Sequence, residues 1–257
     1  MGRALLALVV SLALQVGVNY ANDYSDGVRG TDDVRVGPLR LVASGSASPA
    51  SVKRAAMAAF GAAGAVGLLL ASMTTWWLLV VGASALVAGW TYTGGPRPYG
   101  YLGLGEVFVF VFFGLVATAG TTYVVLDRWT GWPLVAAVPV GCWACALLVV
   151  NNLRDRPTDA DVGKRTLAVR FGDGATRWLY GALLLVALVV ALAVALWWRW
   201  SALLVLVGAP LSWRAWRRVR QGAVGRDLIP VLELTGRVQL VAGGGFALGL
   251  LLGGWLT

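Results

Sequence analysis

The chain contains no histidine, and only two cysteines, two lysines and 12 acidic residues among its 257. Each shortage closes off a class of chemistry. Without imidazole there is no Cys/His or Ser/His pair to build a covalent nucleophile. Cys142 and Cys145 form a C-x-x-C, but zinc would need two further ligands. The pair also sits in the uncharged run 133–150, where burial in lipid opposes formation of a reactive thiolate. They read as two small apolar helix residues. Charge is scarce as well: 13% of residues are charged against 58% hydrophobic, too little to clothe a soluble domain of this length.

What is present is a succession of apolar runs from end to end, and a bilayer is crossed by about 20 such residues in a helix. The pattern predicts eight helices near 3–22, 52–72, 75–93, 103–122, 133–152, 176–196, 200–216 and 233–256, an all-α multi-pass transmembrane bundle forming one membrane domain over 1–257. The run 4–18 leads into polar residues without a small-residue cleavage site and is read as a membrane helix, not a leader. Gly and Ala are frequent in the runs, as small residues are where helices approach closely in lipid. The net charge of +9 is unevenly placed. Eighteen of the 21 basic residues fall in the connections 23–54, 94–102, 151–177 and 214–237, and only Arg3, Arg128 and Arg199 fall on the opposite side. The positive-inside rule puts the eighteen in the cytoplasm, and eight spans would leave both termini outside. The basic residues thus read as loops at an anionic membrane surface, and no soluble element is left to recognise nucleic acid. Trp76, Trp77, Trp129, Trp132, Trp197, Trp198 and Trp200 cluster in the short outer turns, as expected of an interfacial belt.

Seven of the twelve acids fall in two clusters, each beginning where an apolar helix reaches the cytoplasmic face. The first runs from Asn19 through Asn22, Asp23 and Asp26 to Asp32 and Asp33. The second holds Asn151, Asn152, Asp155, Asp159 and Asp161. Helical spacing puts Asn19 with Asp23, and Asn22 with Asp26, on shared faces. Asn151, Asp155 and Asp159 would form one stripe if the helix continues that far, against which Pro157 argues. Solvated loop acids or helix caps are the plain alternative. Two such sets with matching amides favour a hard-oxygen site for magnesium, which keeps waters and takes further ligands from phosphate. Arg40, Arg97, Lys164 and Arg165 lie in the same loops and suit a diphosphate leaving group. A transporter would instead carry its polar groups at mid-membrane, where the runs offer little beyond Gln15, Glu106 and Gln239.

At these motifs the sequence resembles the UbiA superfamily of membrane prenyltransferases, and within it the 1,4-dihydroxy-2-naphthoate polyprenyltransferase branch. The resemblance spans nearly the whole chain. Its markers are Asn22-Asp23-Tyr24-Ser25-Asp26 with Gly30 and Asp32, then Gly37-Pro38-Leu39-Arg40. Tyr92-Thr93-Gly94-Gly95-Pro96-Arg97-Pro98-Tyr99-Gly100 and Gly103-Leu104-Gly105-Glu106 follow. Asn151-Asn152-Leu153-Arg154-Asp155 and Gly163-Lys164-Arg165-Thr166 complete the set.

The resemblance implies a helical bundle around a cavity with a cytoplasmic cap. It implies Mg2+ held by Asn22, Asp23 and Asp26 from the first motif and by Asn151, Asp155 and Asp159 from the second. Asp23, Asp26, Asp155, Asp159 and Lys164 would be the catalytic groups. Lys164, Arg165, Arg40 and Arg97 would hold the diphosphate or the acceptor's carboxylate, with Asn151 also in the substrate site and Tyr92 against a developing allylic cation. The implied reaction joins a polyprenyl diphosphate to an aromatic acid with loss of diphosphate and CO2, giving demethylmenaquinone, at the cell membrane. Transfer to 4-hydroxybenzoate or homogentisate, a transporter, and an inactive scaffold are the alternatives. The family commonly has nine helices, the first preceded by an Arg-Pro segment. This chain begins about where the second would, so an upstream apolar segment is expected.

Overall fold

A computed structural model describes residues 1–31 and 37–255 of the chain. Asp32 and Asp33 of the first acidic cluster lie outside the described residues. Among the described residues there are eight longer helices and no strand: α1 Gly2–Arg29, α2 Pro49–Ser72, α3 Trp77–Thr91, α4 Gly105–Leu126, α5 Trp132–Asp161, α6 Leu167–Trp197, α7 Ala209–Arg220 and α8 Ile229–Trp255. Six helical stretches are long and apolar enough to cross a membrane, and α3 is a shorter apolar helix. The predicted all-α membrane bundle is therefore what the chain forms.

Four helices depart from their expected extents. Helix α6 begins at Leu167 instead of near 176, because a short helix precedes a kink at Gly172 (φ 76°). The other three have reasons of their own. Helix α1 does not stop at the first acidic cluster but carries it to Arg29, where Gly30 takes the left-handed conformation and ends the helix. Helix α5 runs through Pro157 to Asp161. Proline there forfeits one backbone bond to the preceding turn, but the helix is near its end and does not stop. The expected seventh helix, 200–216, is a tight 3-10 helix, Trp200–Gly208, that widens into α7. The narrow form fits because it lies on α8 at glycines. A Cβ at Gly249 would collide with the Ser201 carbonyl, and Ser201 Oγ donates to Gly249 O at 2.6 Å.

The chain forms two compact units. The first comprises Met1–Gly105, Gly120–Trp129 and Thr158–Thr166; the second comprises Glu106–Ala119, Thr130–Pro157 and Leu167–Thr257. In the first, α1, α2 and α3 pack around Ala21, Ala56 and Phe60, with Ala7, Leu70 and Val124 forming a second cluster. Arg3 reaches Asp127 at 3.2 Å and the carbonyls of Val124 and Met73, which ties the helix ends together. In the second, Trp143, Val149 and Val150 of α5 pack with Tyr180, Leu184 and Val194 of α6 and Val231 and Val238 of α8. The buried Tyr180 hydroxyl lies 2.7 Å from Thr235 Oγ1, satisfying a polar pair within the apolar core.

Large apolar side chains point outward, among them Leu12, Leu185, Leu196 and Leu240. That pattern suits lipid, where the outside of a helix need not be polar. Of the expected interfacial tryptophans, Trp76, Trp77, Trp129, Trp197 and Trp200 are among the exposed residues, and Trp132 stacks on Trp198 with centroids 5.1 Å apart.

Candidate active site

In the first unit two buried acidic residues gather around one ammonium group. Asp26, on the last turns of α1, is 4% exposed, and Asp159, near the end of α5, is 7% exposed. Lys164 reaches both from the turn after α5: its Nζ is 3.7 Å from Asp26 Oδ2 and 3.6 Å from Asp159 Oδ1. The turn is fixed locally, because Lys164 N–H donates to the Asp159 carbonyl at 2.8 Å and Gly163 takes a positive φ. Burial by itself would lower the lysine's pKa, but Asp26 and Asp159, with Tyr92 and Tyr101, outweigh it and hold it above the ordinary range. The side chain is therefore charged at neutral pH.

Tyr101 joins these groups. Its hydroxyl donates to Asp26 Oδ1 at 2.8 Å and lies 3.3 Å from Thr31 Oγ1. Its ring carries the Lys164 ammonium at 5.2 Å and the Arg29 guanidinium at 5.4 Å, within reach of a cation–π attraction. Its carbonyl accepts from the Arg165 N–H at 3.0 Å. Burial and the neighbouring Asp26 push the Tyr101 phenol above its usual pKa, so it remains a donor.

The other residues of the first motif are engaged by loops. Asn22 Oδ1 accepts from Thr93 Oγ1 at 2.9 Å. Asp23 accepts from Leu41 N–H at 2.9 Å and from Val42 N–H at 3.0 Å, one bond to each carboxylate oxygen. It thus anchors the turn that follows Arg40. Asn19, by contrast, donates back to the Gln15 carbonyl and is exposed. Tyr92 packs against Tyr99 with centroids 5.4 Å apart. Arg40 is half-buried, whereas Arg97 and Arg165 are exposed.

In the second unit, Asn151 and Asp155 meet a guanidinium instead. Arg154 Nε donates to Asp155 Oδ1 and Nη2 to Asp155 Oδ2, both at 2.6 Å, and Nη2 also donates to Asn151 Oδ1 at 2.9 Å. Arg154 is 4% exposed. Behind it, Asn152 Nδ2 donates to Glu106 Oε1 at 2.9 Å. The Cys145 thiol donates to the Glu106 carbonyl, and both cysteines are buried and free.

Among the described residues no three Asp, Glu or Cys side chains converge as a ready-made metal cage. Magnesium does not require one, since it is commonly held by one or two carboxylates with water and substrate phosphate. Asp26 and Asp159 fit that donor set: they are hard oxygen ligands converging on one position that already holds a cation. Sequence reasoning overlooked Thr93 and Tyr101 in the first unit and Arg154 in the second. Thr93 and Arg154 lie inside the family motifs and Tyr101 falls just after one of them, but no spacing rule connects position 101 with position 26.

A family model for the UbiA prenyltransferase family matches residues 2–228. The 1,4-dihydroxy-2-naphthoate octaprenyltransferase of Mycobacterium tuberculosis is 54% identical over 241 residues, covering 93% of this chain and 82% of that protein. The protein of the same name from Escherichia coli is 36% identical over 264 residues, covering 98% and 85%. UbiA prenyltransferase domain-containing protein 1 of Gallus gallus is 27% identical over 247 residues, covering 95% and 72%.

Proposed function

The chain belongs to the UbiA prenyltransferase family, and from that membership we propose that it joins a polyprenyl group to 1,4-dihydroxy-2-naphthoate in menaquinone synthesis. The relatives at 54% and 36% identity bear the name of that reaction. The structural observation that carries the reading is the convergence of the buried Asp26 and Asp159 on one cationic position. Such a position, with Lys164 beside it and Arg165, Arg40 and Arg97 in the basic connections of the same unit, suits a metal-bound diphosphate.

In this reading Asp26 and Asp159 would hold magnesium, with Asn22 and Asp23 of the same unit as the further ligand candidates. The bound ion would supply charge neutralisation for the departing diphosphate. Lys164 and the arginines take the phosphate oxygens and steady the negative charge as the allylic C–O bond breaks and its electron pair leaves with diphosphate. Tyr92 lies against the resulting cation. The carboxylate-bearing ring carbon of the electron-rich naphthoate forms the new C–C bond. The C–CO2⁻ bond then breaks, its electrons restore the aromatic ring, and the product is the quinol form of demethylmenaquinone. No side chain need form a covalent bond, in keeping with a chain that has no histidine. We place the site at the cytoplasmic face of the cell membrane, where the positive-inside rule puts eighteen of the 21 basic residues.

The test is to supply the purified full chain with magnesium, a labelled polyprenyl diphosphate and each aromatic acid separately. Prenylated product and CO2 from carboxyl-labelled 1,4-dihydroxy-2-naphthoate are expected. Product from 4-hydroxybenzoate or homogentisate in its place would overturn the acceptor, and no product from any would overturn the reaction.

A further inference from the structure

We propose that the Lys164 ammonium is a resident stand-in for the metal ion, held between Asp26 and Asp159 by the positioning residue Tyr101 and transferred to phosphate when metal-bound diphosphate arrives. The inference rests on the reading of this site as a prenyl diphosphate site, and it assigns Tyr101 a place in that machinery.

The distances separate a stand-in from a structural salt bridge. A charge-assisted N–H···O bond closes to about 2.7–2.9 Å, yet Lys164 stands at 3.7 and 3.6 Å from its two carboxylates. It lies between them and closes a short bond with neither, so its attraction is mainly that of a point charge. Arg154 and Asp155 show the other case, with two bonds of 2.6 Å. Two carboxylates buried to 4% and 7% exposure need countercharge, and the Lys164 ammonium supplies charge to both without fixing the geometry. Lysine suits the task, being a compact charge on a flexible stem.

Tyr101 keeps this arrangement in register. Its hydroxyl fixes one oxygen of Asp26 at 2.8 Å and leaves the other toward the ammonium. Its ring lies 5.2 Å from Lys164 Nζ, and its carbonyl binds the Arg165 N–H. One residue thus orients the metal-facing carboxylate and the two basic residues that would receive phosphate.

The experiment measures binding of Mn2+ alone, by electron paramagnetic resonance, to the detergent-solubilised full chain. Lys164→Met removes the charge while keeping the stem, and is expected to bind Mn2+ about tenfold more tightly than wild type. It should also bind inorganic diphosphate with magnesium more weakly. Lys164→Arg restores the charge and should bind Mn2+ as weakly as wild type, which separates the charge from general disruption of the site. Tyr101→Phe keeps the ring and loses the bond to Asp26. It should raise the magnesium concentration for half-maximal turnover about fivefold, the worth of one hydrogen bond, with the KM for the aromatic acceptor unchanged. A merely structural tyrosine would lower kcat with the same magnesium dependence. Mn2+ affinity in Lys164→Met equal to or below wild type, including no binding in either, overturns the proposal. Tighter metal binding without prenyl transfer by wild type would instead sink the functional reading and leave this one standing.

Discussion

Asp26 and Asp155 are both acidic residues at helix ends with a cation beside them, yet they are neutralised differently. Asp155 is gripped through both carboxylate oxygens by one edge of a guanidinium that is itself buried, and the same guanidinium binds Asn151. Asp26 shares a looser ammonium with Asp159 and is steered by a tyrosine. The planar fork of arginine closes two parallel bonds and sets an orientation, whereas lysine supplies charge and little direction. The difference teaches that a carboxylate's partner tells more about its task than its burial does. A bidentate bond locks a structure, and a loosely held ammonium leaves the oxygens open to exchange.

The largest expected effect breaks the open side of the comparison. Asp26→Asn and Asp159→Asn each remove a charge from the shared position and are expected to lower prenyl transfer by about 10²–10³-fold, while thermal midpoints stay near wild type. Near-wild-type rates in both variants would show that the chemistry lies elsewhere. Breaking the locked side should act on folding instead. Arg154→Met leaves Asp155 with its strongest donors gone and should destabilise the protein by about 3 kcal/mol, read in detergent as a lowered unfolding midpoint. An unchanged midpoint would remove the distinction drawn here.

Asp23 sharpens the comparison from within the first motif. Its oxygens bind the N–H groups of Leu41 and Val42, so Asp23→Ala should cost about 1.5–3 kcal/mol locally. Faster hydrogen exchange confined to residues 40–46 would check this. Protection equal to wild type would mean that the turn is held by other groups.

The pH dependence follows from the sign of the Lys164 shift. A lysine held above its usual range contributes stability that is fully present below the unfolded value, about 10.4, and is lost only as pH rises through the higher folded value. The destabilisation of Lys164→Met relative to wild type should therefore be the same at about pH 6 and pH 9. A difference that shrinks between those values would contradict the charged state. The smallest effect is expected from the cysteines. Cys142→Ala and Cys145→Ala remove buried thiols in the second unit's core and should change prenyl transfer by less than about twofold. Loss of activity in either would mean that the C-x-x-C has a role after all.

Much of this protein could be read locally. Six long helices and the shorter α3 follow from apolar runs between basic connections, and the first acidic motif could be placed at the end of α1 because small clusters of Asp and Asn stand out in an apolar chain. The extent of α5 could not. Pro157 argues for a stop, and only the surrounding structure decided that the helix continues and carries Asp159 to Lys164. The narrow helix Trp200–Gly208 was equally hidden, since its width depends on glycines of α8 more than forty positions away.

The sequence by itself determined the membrane architecture, the two acidic motifs and the basic residues on their loops. Lipid imposes its demand for length and apolarity on each segment separately, so local composition suffices. Only the tertiary structure decided which cation meets which carboxylate. Asp26, Tyr101 and Lys164 come from separate helices and loops, and they meet because helix packing brings distant positions together. Hydrogen bonds and ion pairs act over a few ångströms, and no sequence period records which side chains end within that reach.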